Sequence, residues 1–294
     1  MLHTKKPRIT PLDIGIILVI AAALAAFGWR VDTQLDYEWK WTALGQYFLL
    51  HDPDQGWIPG LLTQGLLTTI KLSLWTMLFA TIIGVVMGLA RTSRSLFNRL
   101  IGQAYVGLVR NIPPLVLIFI FYFFISDQIF TAMGIDTMVR NAPPWVQEFL
   151  AITAAPVNQF TGFLSALVTL AIYEGAYITE HVRAGVQAVS VQQYEAAYAL
   201  GLSPWHRMRH VIFPQAMTHI MPPLTGQFIS TIKDSAIVSV ISIQELTFQG
   251  MELMAATYMT FEIWIVITIL YLILTVSCSV LSRYAERWFR RHEV

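Results

Sequence analysis

Leu72 to Leu89 is a run of eighteen residues without a charge, closed by Lys71 on one side and by Ala90 and Arg91 on the other. The hydrocarbon core of a bilayer is ~30 Å thick, takes about 20 residues of helix to cross, and offers no water to backbone amides. The run therefore reads as a membrane-spanning helix. Composition extends that reading to the whole chain, which is 55% hydrophobic and only 13% charged over 294 residues. That is too apolar for a soluble domain of this length. The net charge of +1 and the dispersal of basic residues over loops give no face for nucleic acid. A single cysteine, Cys278, excludes an intramolecular disulfide.

Leu12 to Phe27 reads as a first, uncleaved span, because Ala-Ala-Phe-Gly-Trp-Arg30 places aromatic and charged residues where a signal cleavage site needs small ones. Val31 to Pro59 is an aromatic belt, with an interfacial helix expected over Tyr37 to Leu50. Gly60 to Ala90 is the second span, and its Gly84 and Gly88 permit close helix contact. The third, Leu100 to Ile125, is interrupted by Arg110 and Pro113-Pro114. Two readings stay open there: a broken helix lining a path, or Arg110 reaching the interface before a shorter helix begins at Pro113. A short interfacial helix is expected near Trp145 to Ile152. Thr161 to Ile178 is the fourth span, with Glu174 inside it and with Glu180 and Arg183 spaced to pair on one helix face. Val211 to Ile232 is the fifth, expected to be broken by Pro214 and Pro222-Pro223. Ala236 to Ile243 is too short to cross and reads as a half-penetrating helix, and Phe261 to Leu281 is the sixth span. The fold class is an all-α polytopic membrane protein with about six transmembrane helices.

Orientation follows from counting basic residues. With a cytoplasmic N-terminus, that side collects Lys5, Lys6, Arg8, Arg91, Arg94, Arg99, Arg183, Arg207, Arg209, Arg283, Arg287, Arg290 and Arg291, thirteen of the nineteen. The outer side holds Arg30, Lys40 and Arg140. The positive-inside rule then puts both termini, and the loop between spans four and five, in the cytoplasm.

That loop is unusually organised. Val189 to Leu200 is rich in helix formers, Gly201 is a C-terminal cap, and Ser203-Pro204 supplies an N-cap followed by proline at the first helical position. Ala196, Ala197 and Ala199 keep the first helix low in profile, and Glu195 adds a charge at its edge. Spacing alone fits both a docking element and an ordinary helical hairpin on the membrane surface.

Other chemistry is sparse. No Walker A phosphate cradle and no His-Glu-x-x-His pair occur, and the adjacent Glu180 and His181 diverge on a helix. Neither a catalytic role nor a metal site is expected. Arg110, Glu174, Gln215, His219, Gln227, Lys233 and Asp234 are polar groups at membrane depth and suit a hydrated translocation path.

Glu195-Ala196-Ala197, three residues, Gly201, nine residues, then Val211-x-Phe213-Pro214 resembles the "EAA" loop of ABC-importer permeases. That family usually has Ile and Leu where this chain has Val211 and Phe213. Gly65-Leu-Leu-Thr-Thr-Ile-Lys-Leu-Ser73, Tyr105 to Pro113, Glu174 to Gly185 and Lys233-Asp-Ser235 are similar to its polar amino acid branch, although Arg110-Asn-Ile-Pro113 departs from the commoner Arg-Gly-Thr-Pro. The resemblance covers roughly residues 60 to 285. It implies a type I importer permease in a bacterial inner membrane, moving polar amino acids. It implies pairing with itself or a sister permease, two cytoplasmic ATPase subunits, and an extracytoplasmic amino-acid-binding protein. ATP and Mg²⁺ would be bound by the ATPase, and no cofactor by this chain. Glu195, Ala196, Ala197, Gly201, Pro204 and Pro214 would carry the coupling to the ATPase. The expected domains are an extra N-terminal helix and outer segment (1–59), a permease core (60–285) with its coupling loop at 189–212, and a cytoplasmic tail (286–294). Two rivals use the same residues: an ion-coupled transporter acting through Glu174 and Lys233-Asp234, and a non-transporting assembly protein that uses the loop as a dock.

Overall fold

The structure, a computed structural model, describes residues 10–34, 37–54 and 56–290. Lys5, Lys6, Arg8, Arg291 and the end of the tail lie outside the described residues. The chain divides into two units, one ending at Thr42 and the other beginning at Ala43. The first contains α1 (Pro11–Gln34), long and apolar enough to cross a membrane, with none of its apolar window buried.

The second unit opens differently from expectation. Instead of one interfacial helix over Tyr37 to Leu50, a helical turn at Gly45–Phe48 runs into a two-stranded antiparallel hairpin, β1 (Leu49–Asp52) and β2 (Gly56–Pro59). The turn uses Gly56 at φ +76°, where a side chain would be strained. Gly60 N and Thr63 Oγ1 both donate to the Phe48 carbonyl, at 2.8 Å each, and tie the hairpin to the helix that follows.

The core is built on two helices, α2 (Leu61–Thr92) and α6 (Phe160–Ala188). Their contact uses small residues: a Cβ on Gly84 would run into Ile178, and one on Gly88 into Val182. The Gly-x-x-x-Gly spacing read from the sequence is thus the seam between them. Ala80, Ile178, Val182 and Val186 continue the seam into a cluster shared with α8 (Phe213–Asp234), whose Ile220 packs where Gly185 leaves room.

Between the two core helices lie α3 (Leu96–Asn111), α4 (Pro114–Ala132) and α5 (Pro144–Thr153). The interruption expected at Pro113-Pro114 within Leu100 to Ile125 is present. Ile112 and Pro113 are extended, with ψ of 133° and 135°, because a residue before proline is pushed out of the helical region. The helix therefore stops after Asn111 and restarts with Pro114 at its first position. Lys71 Nζ donates to the Ala151 carbonyl at 2.8 Å and Trp75 Nε1 to the Thr153 carbonyl at 2.9 Å, which fasten α5 to α2.

The prolines of the fifth span do not break it. Phe213 to Asp234 is one helix with Pro222 and Pro223 inside. The missing N–H of Pro214 is absorbed by a wider, π-type stretch at Met208–Ile212. Pro222 and Pro223 release the carbonyls four residues back, those of Thr218 and His219. Thr218, His219 and Pro222 lie on the exposed side of α8.

A tight turn at Ser235–Ile241 leads to α9 (Leu246–Thr257), and α10 (Thr260–Arg290) closes the chain. Among the described residues, five helical stretches are long and apolar enough to cross a membrane, in α1, α2, α4, α6 and α10. The more polar α8 is the sixth long helix of the set.

Gly88→Val should lower the thermal unfolding midpoint in detergent by an amount matching about 1–3 kcal/mol, the usual cost of forcing bulk into a packed seam. Gly107→Ala, where a new Cβ meets nothing within 4 Å, should leave the midpoint unchanged or slightly raised.

Candidate coupling loop and polar network

The loop folds as its residues dictate. Helix α7 (Val191–Ala199) ends in a Schellman motif: Leu202 N donates to Ala197 O at 3.2 Å and Gly201 N to Tyr198 O at 2.9 Å, with Gly201 at φ +71°. Only glycine takes that conformation without cost. Ser203 restarts the chain, its Oγ accepting from His206 N at 3.4 Å, with Pro204 first in the new turn.

Two side-chain bonds brace α7 against the core. Tyr194 Oη donates to Val186 O at 3.2 Å, and Gln215 Nε2 donates to Gln193 Oε1 at 3.2 Å. Burial pushes the Tyr194 phenol above its ordinary value, outweighing nearby Arg207, so the hydroxyl keeps its proton and its bond. An ion cluster lies on the adjoining end of α6: Glu180 is bridged by Arg91 from α2 and by Arg183 at 2.8 Å, confirming the pairing read from the three-residue spacing.

Glu195 and Ala196 lie on the open surface, while Ala197 is buried at 2% exposure. The two alanines therefore do not form one docking face. Ala197 is spent on packing within the chain. What the open surface carries instead is apolar: Tyr198 at 72% exposure, Leu200 at 79% and Trp205 at 66%. Beneath it, a cleft of about 480 Å³ opens between Arg94 at the end of α2 and Tyr194, Glu195 and Tyr198 of α7. Arg207, nearly buried, places its guanidinium 5.8 Å from the Tyr198 ring centroid. Pro214 remains exposed at the start of α8.

The seven polar residues expected at membrane depth separate into two groups. Glu174, Gln227 and Asp234 come together between α6 and α8. Gln227 Nε2 donates to Glu174 Oε2 at 2.5 Å, its Oε1 lies 3.2 Å from His181 Nε2, and Asp234 stands beside Glu174. Tyr173 and Tyr177, with hydroxyls 3.2 Å apart, extend the network to Arg110, whose guanidinium sits 4.9 Å from the Tyr177 ring centroid. Gln215 belongs to the loop brace instead. His219 lies on the exposed side of α8, and Lys233 is also exposed.

Residues 80–291 match the family described as the inner membrane component of binding-protein-dependent transport systems. The chain belongs to that family. Its curated relatives include the glutamine transport system permease protein GlnP of Escherichia coli (strain K12), 32% identical over 77% of this chain and 92% of that one. The glutamate/aspartate import permease protein GltJ of the same strain is 30% identical over 80% of this permease and 88% of its own length. The fold superposes on a solved amino acid ABC transporter crystallised with histidines, at TM-score 0.65 and 30% identity over 85% of this permease and 99% of that chain. It also matches the MetNI methionine ABC transporter at TM-score 0.57 and 18% identity over 77% of this permease and 95% of that chain, a likeness of fold alone. This is a family of transport components, not of enzymes.

One polar node of the permease escaped sequence reasoning. Glu245 is fully buried and caps α9, accepting from Thr247 N at 2.9 Å and Phe248 N at 2.8 Å. Tyr271 Oη of α10 donates to it at 2.9 Å, and Thr69 of α2 completes the node by accepting from Leu246 N at 3.1 Å. Glu is not among the favoured N-caps, so nothing local singled out Glu245.

Gln227→Leu removes the donor to Glu174 and should cost about 1–3 kcal/mol in detergent unfolding, the penalty of a buried acceptor stripped of its partner. Adding Glu174→Gln to that variant should recover most of the loss.

Proposed function

We propose that this permease serves an ATP-driven importer of polar amino acids, with the loop around α7 as the element that a cytoplasmic ATPase engages. The observation that carries the reading is the pairing of rigidity with exposure. The loop is capped at both turns and braced by Tyr194 and Gln215, yet it holds Tyr198, Leu200 and Trp205 open outside the apolar spans. Contiguous exposed apolar side chains mark a protein-binding surface. A braced lever transmits a push, whereas a flexible loop would dissipate it.

ATP-driven closure of two ATPase subunits then pushes on α7, and the motion passes through α6 and α8 to the network of Glu174, Gln227 and Asp234. The helices rock between inward-open and outward-open states, which requires each state to bind its ligands with different affinity. The basic-residue count supports a cytoplasmic loop and cytoplasmic termini. A second permease, the same chain or a sister, fits against the exposed side of α8. The carbonyls freed there by Pro222 and Pro223 survive at membrane depth only where protein or a wet path covers them. An extracytoplasmic binding protein delivers the solute to the other end. Amino acids as cargo are supported by the relatives that carry glutamine and glutamate or aspartate. In this reading Mg²⁺ and nucleotide belong to the ATPase.

Gly201→Asp tests the lever cleanly. A Cβ at Gly201 meets nothing within 4 Å, so the variant costs only about 1–2 kcal/mol of backbone strain and adds a charge at the dock. ATP-dependent uptake should fall at least about tenfold, and an ATPase that co-purifies with the parent should be lost, at unchanged permease level. Normal uptake by the variant, or a parent that never brings down an ATPase, overturns the coupling role.

A further inference from the structure

α6 is 29 residues long, so the chain at its N-terminal end lies on the order of 40 Å from the coupling loop. At that far end is a cavity of about 360 Å³. It is walled by Thr68 of α2, Tyr122 of α4, Asn158 and Gln159 before α6, and Ser242 and Gln244 before α9. That volume sits at the lower end of the ~300–1,000 Å³ typical of ligand sites and suits a molecule of amino-acid size.

The walls are held in place from behind. Lys71 and Trp75 fasten α5, and with it the approach to Asn158. Glu245 anchors the chain immediately after Gln244 to α2 and α10. Gln159 Nε2 donates to Gln244 Oε1 at 2.7 Å and joins the two sides. Ser242 is kept at φ +59°, a conformation a non-glycine residue holds only when its surroundings enforce it.

The chemistry of the lining is one-sided. Three carboxamides, two hydroxyls and a phenol face the space, with no carboxylate, ammonium or guanidinium among the lining residues. Carboxamides both donate and accept, and they pair with another carboxamide in either sense. A charged side chain entering here would lose its hydration without gaining a counter-charge, a cost added to that of the α-ammonium and α-carboxylate which every amino acid shares.

We propose that this cavity is a binding site for an amino-acid-sized solute with a neutral amide side chain, separate from the carboxylate network at Glu174. It rests on the importer reading for its role, as the first site in the permease met by solute delivered opposite the coupling loop. Binding opens the Gln159 to Gln244 bond, and the solute amide takes the place of one partner on each side.

The test is equilibrium binding of tritiated L-glutamine to the purified full-length chain in lipid nanodiscs, without nucleotide. Unlabelled L-glutamine, L-glutamate and L-lysine serve as competitors, since they share a backbone and differ in side-chain charge. Saturable binding is expected, with glutamine displacing label at least about tenfold better than either charged competitor. Gln244→Leu and Asn158→Trp should each weaken binding by about tenfold or more. Should Gln244→Leu fail to fold in a thermal melt, Asn158→Trp at the exposed rim carries the comparison. The proposal is overturned by the absence of saturable binding, by equal competition from the three amino acids, or by unchanged affinity in the folded variants. Each of those results can occur with a co-purifying ATPase and intact ATP-driven uptake, so the site can fail while the importer reading stands. Loss of the ATPase would fail the importer reading and leave this binding measurement intact.

Discussion

The close approach of α2 and α6 is the constraint on which the rest of the permease core depends. Two long helices in a bilayer gain little from the hydrophobic effect when they meet, because lipid is as apolar as they are. What holds them is contact at short range, and Gly84 and Gly88 let Ile178 and Val182 reach the opposing backbone. Once that seam is set, the ends of the helices fix everything else. One end of α6 bears the ion cluster of Glu180, Arg91 and Arg183 and passes into the coupling loop. The other end opens on the carboxamide-lined cavity.

The two polar regions between those ends solve the same physical problem in different ways. Glu174 is buried where no water reaches it, and Gln227 answers it with a direct donor that is itself oriented by His181. Glu245 is buried as deeply and is answered by backbone amides at a helix start and by hydroxyls from two neighbouring helices. The first joins α6 to α8, and the second ties α9 to α2 and α10. A buried carboxyl group is thus not one kind of feature, and its partners decide which helices it holds together.

Much of the site was legible because it is local. The Schellman cap at Gly201, the N-cap at Ser203 and the proline start at Pro204 each follow from a few adjacent residues, and the structure forms all three. Glu180 and Arg183 pair as helical spacing requires. The misses come from positions where distant chain decides. Tyr37 to Leu50 carries an interfacial pattern, but only Trp41 to Phe48 is helical, and Leu49 and Leu50 pair as a strand with Pro59 and Ile58. Pro214 and Pro222-Pro223 look like breaks, yet a π-type turn and an exposed face let α8 run through them. Ala196 and Ala197 are identical in sequence terms, and only packing beneath α7 buries one and leaves the other open.

The sequence by itself determined that this chain lives in a membrane, where its apolar helices begin, the third excepted, and how the loop after α6 turns. These depend on the length of apolar runs and on backbone preferences of glycine, proline and serine, which act over a turn or two. Only the tertiary structure decided which polar residues meet. Glu174 and Gln227, or Gln159 and Gln244, are far apart in sequence, and no periodicity records which face of one helix will turn toward another. Helix–helix contact in lipid is selected by shape at the seam, and shape at a seam belongs to two helices at once.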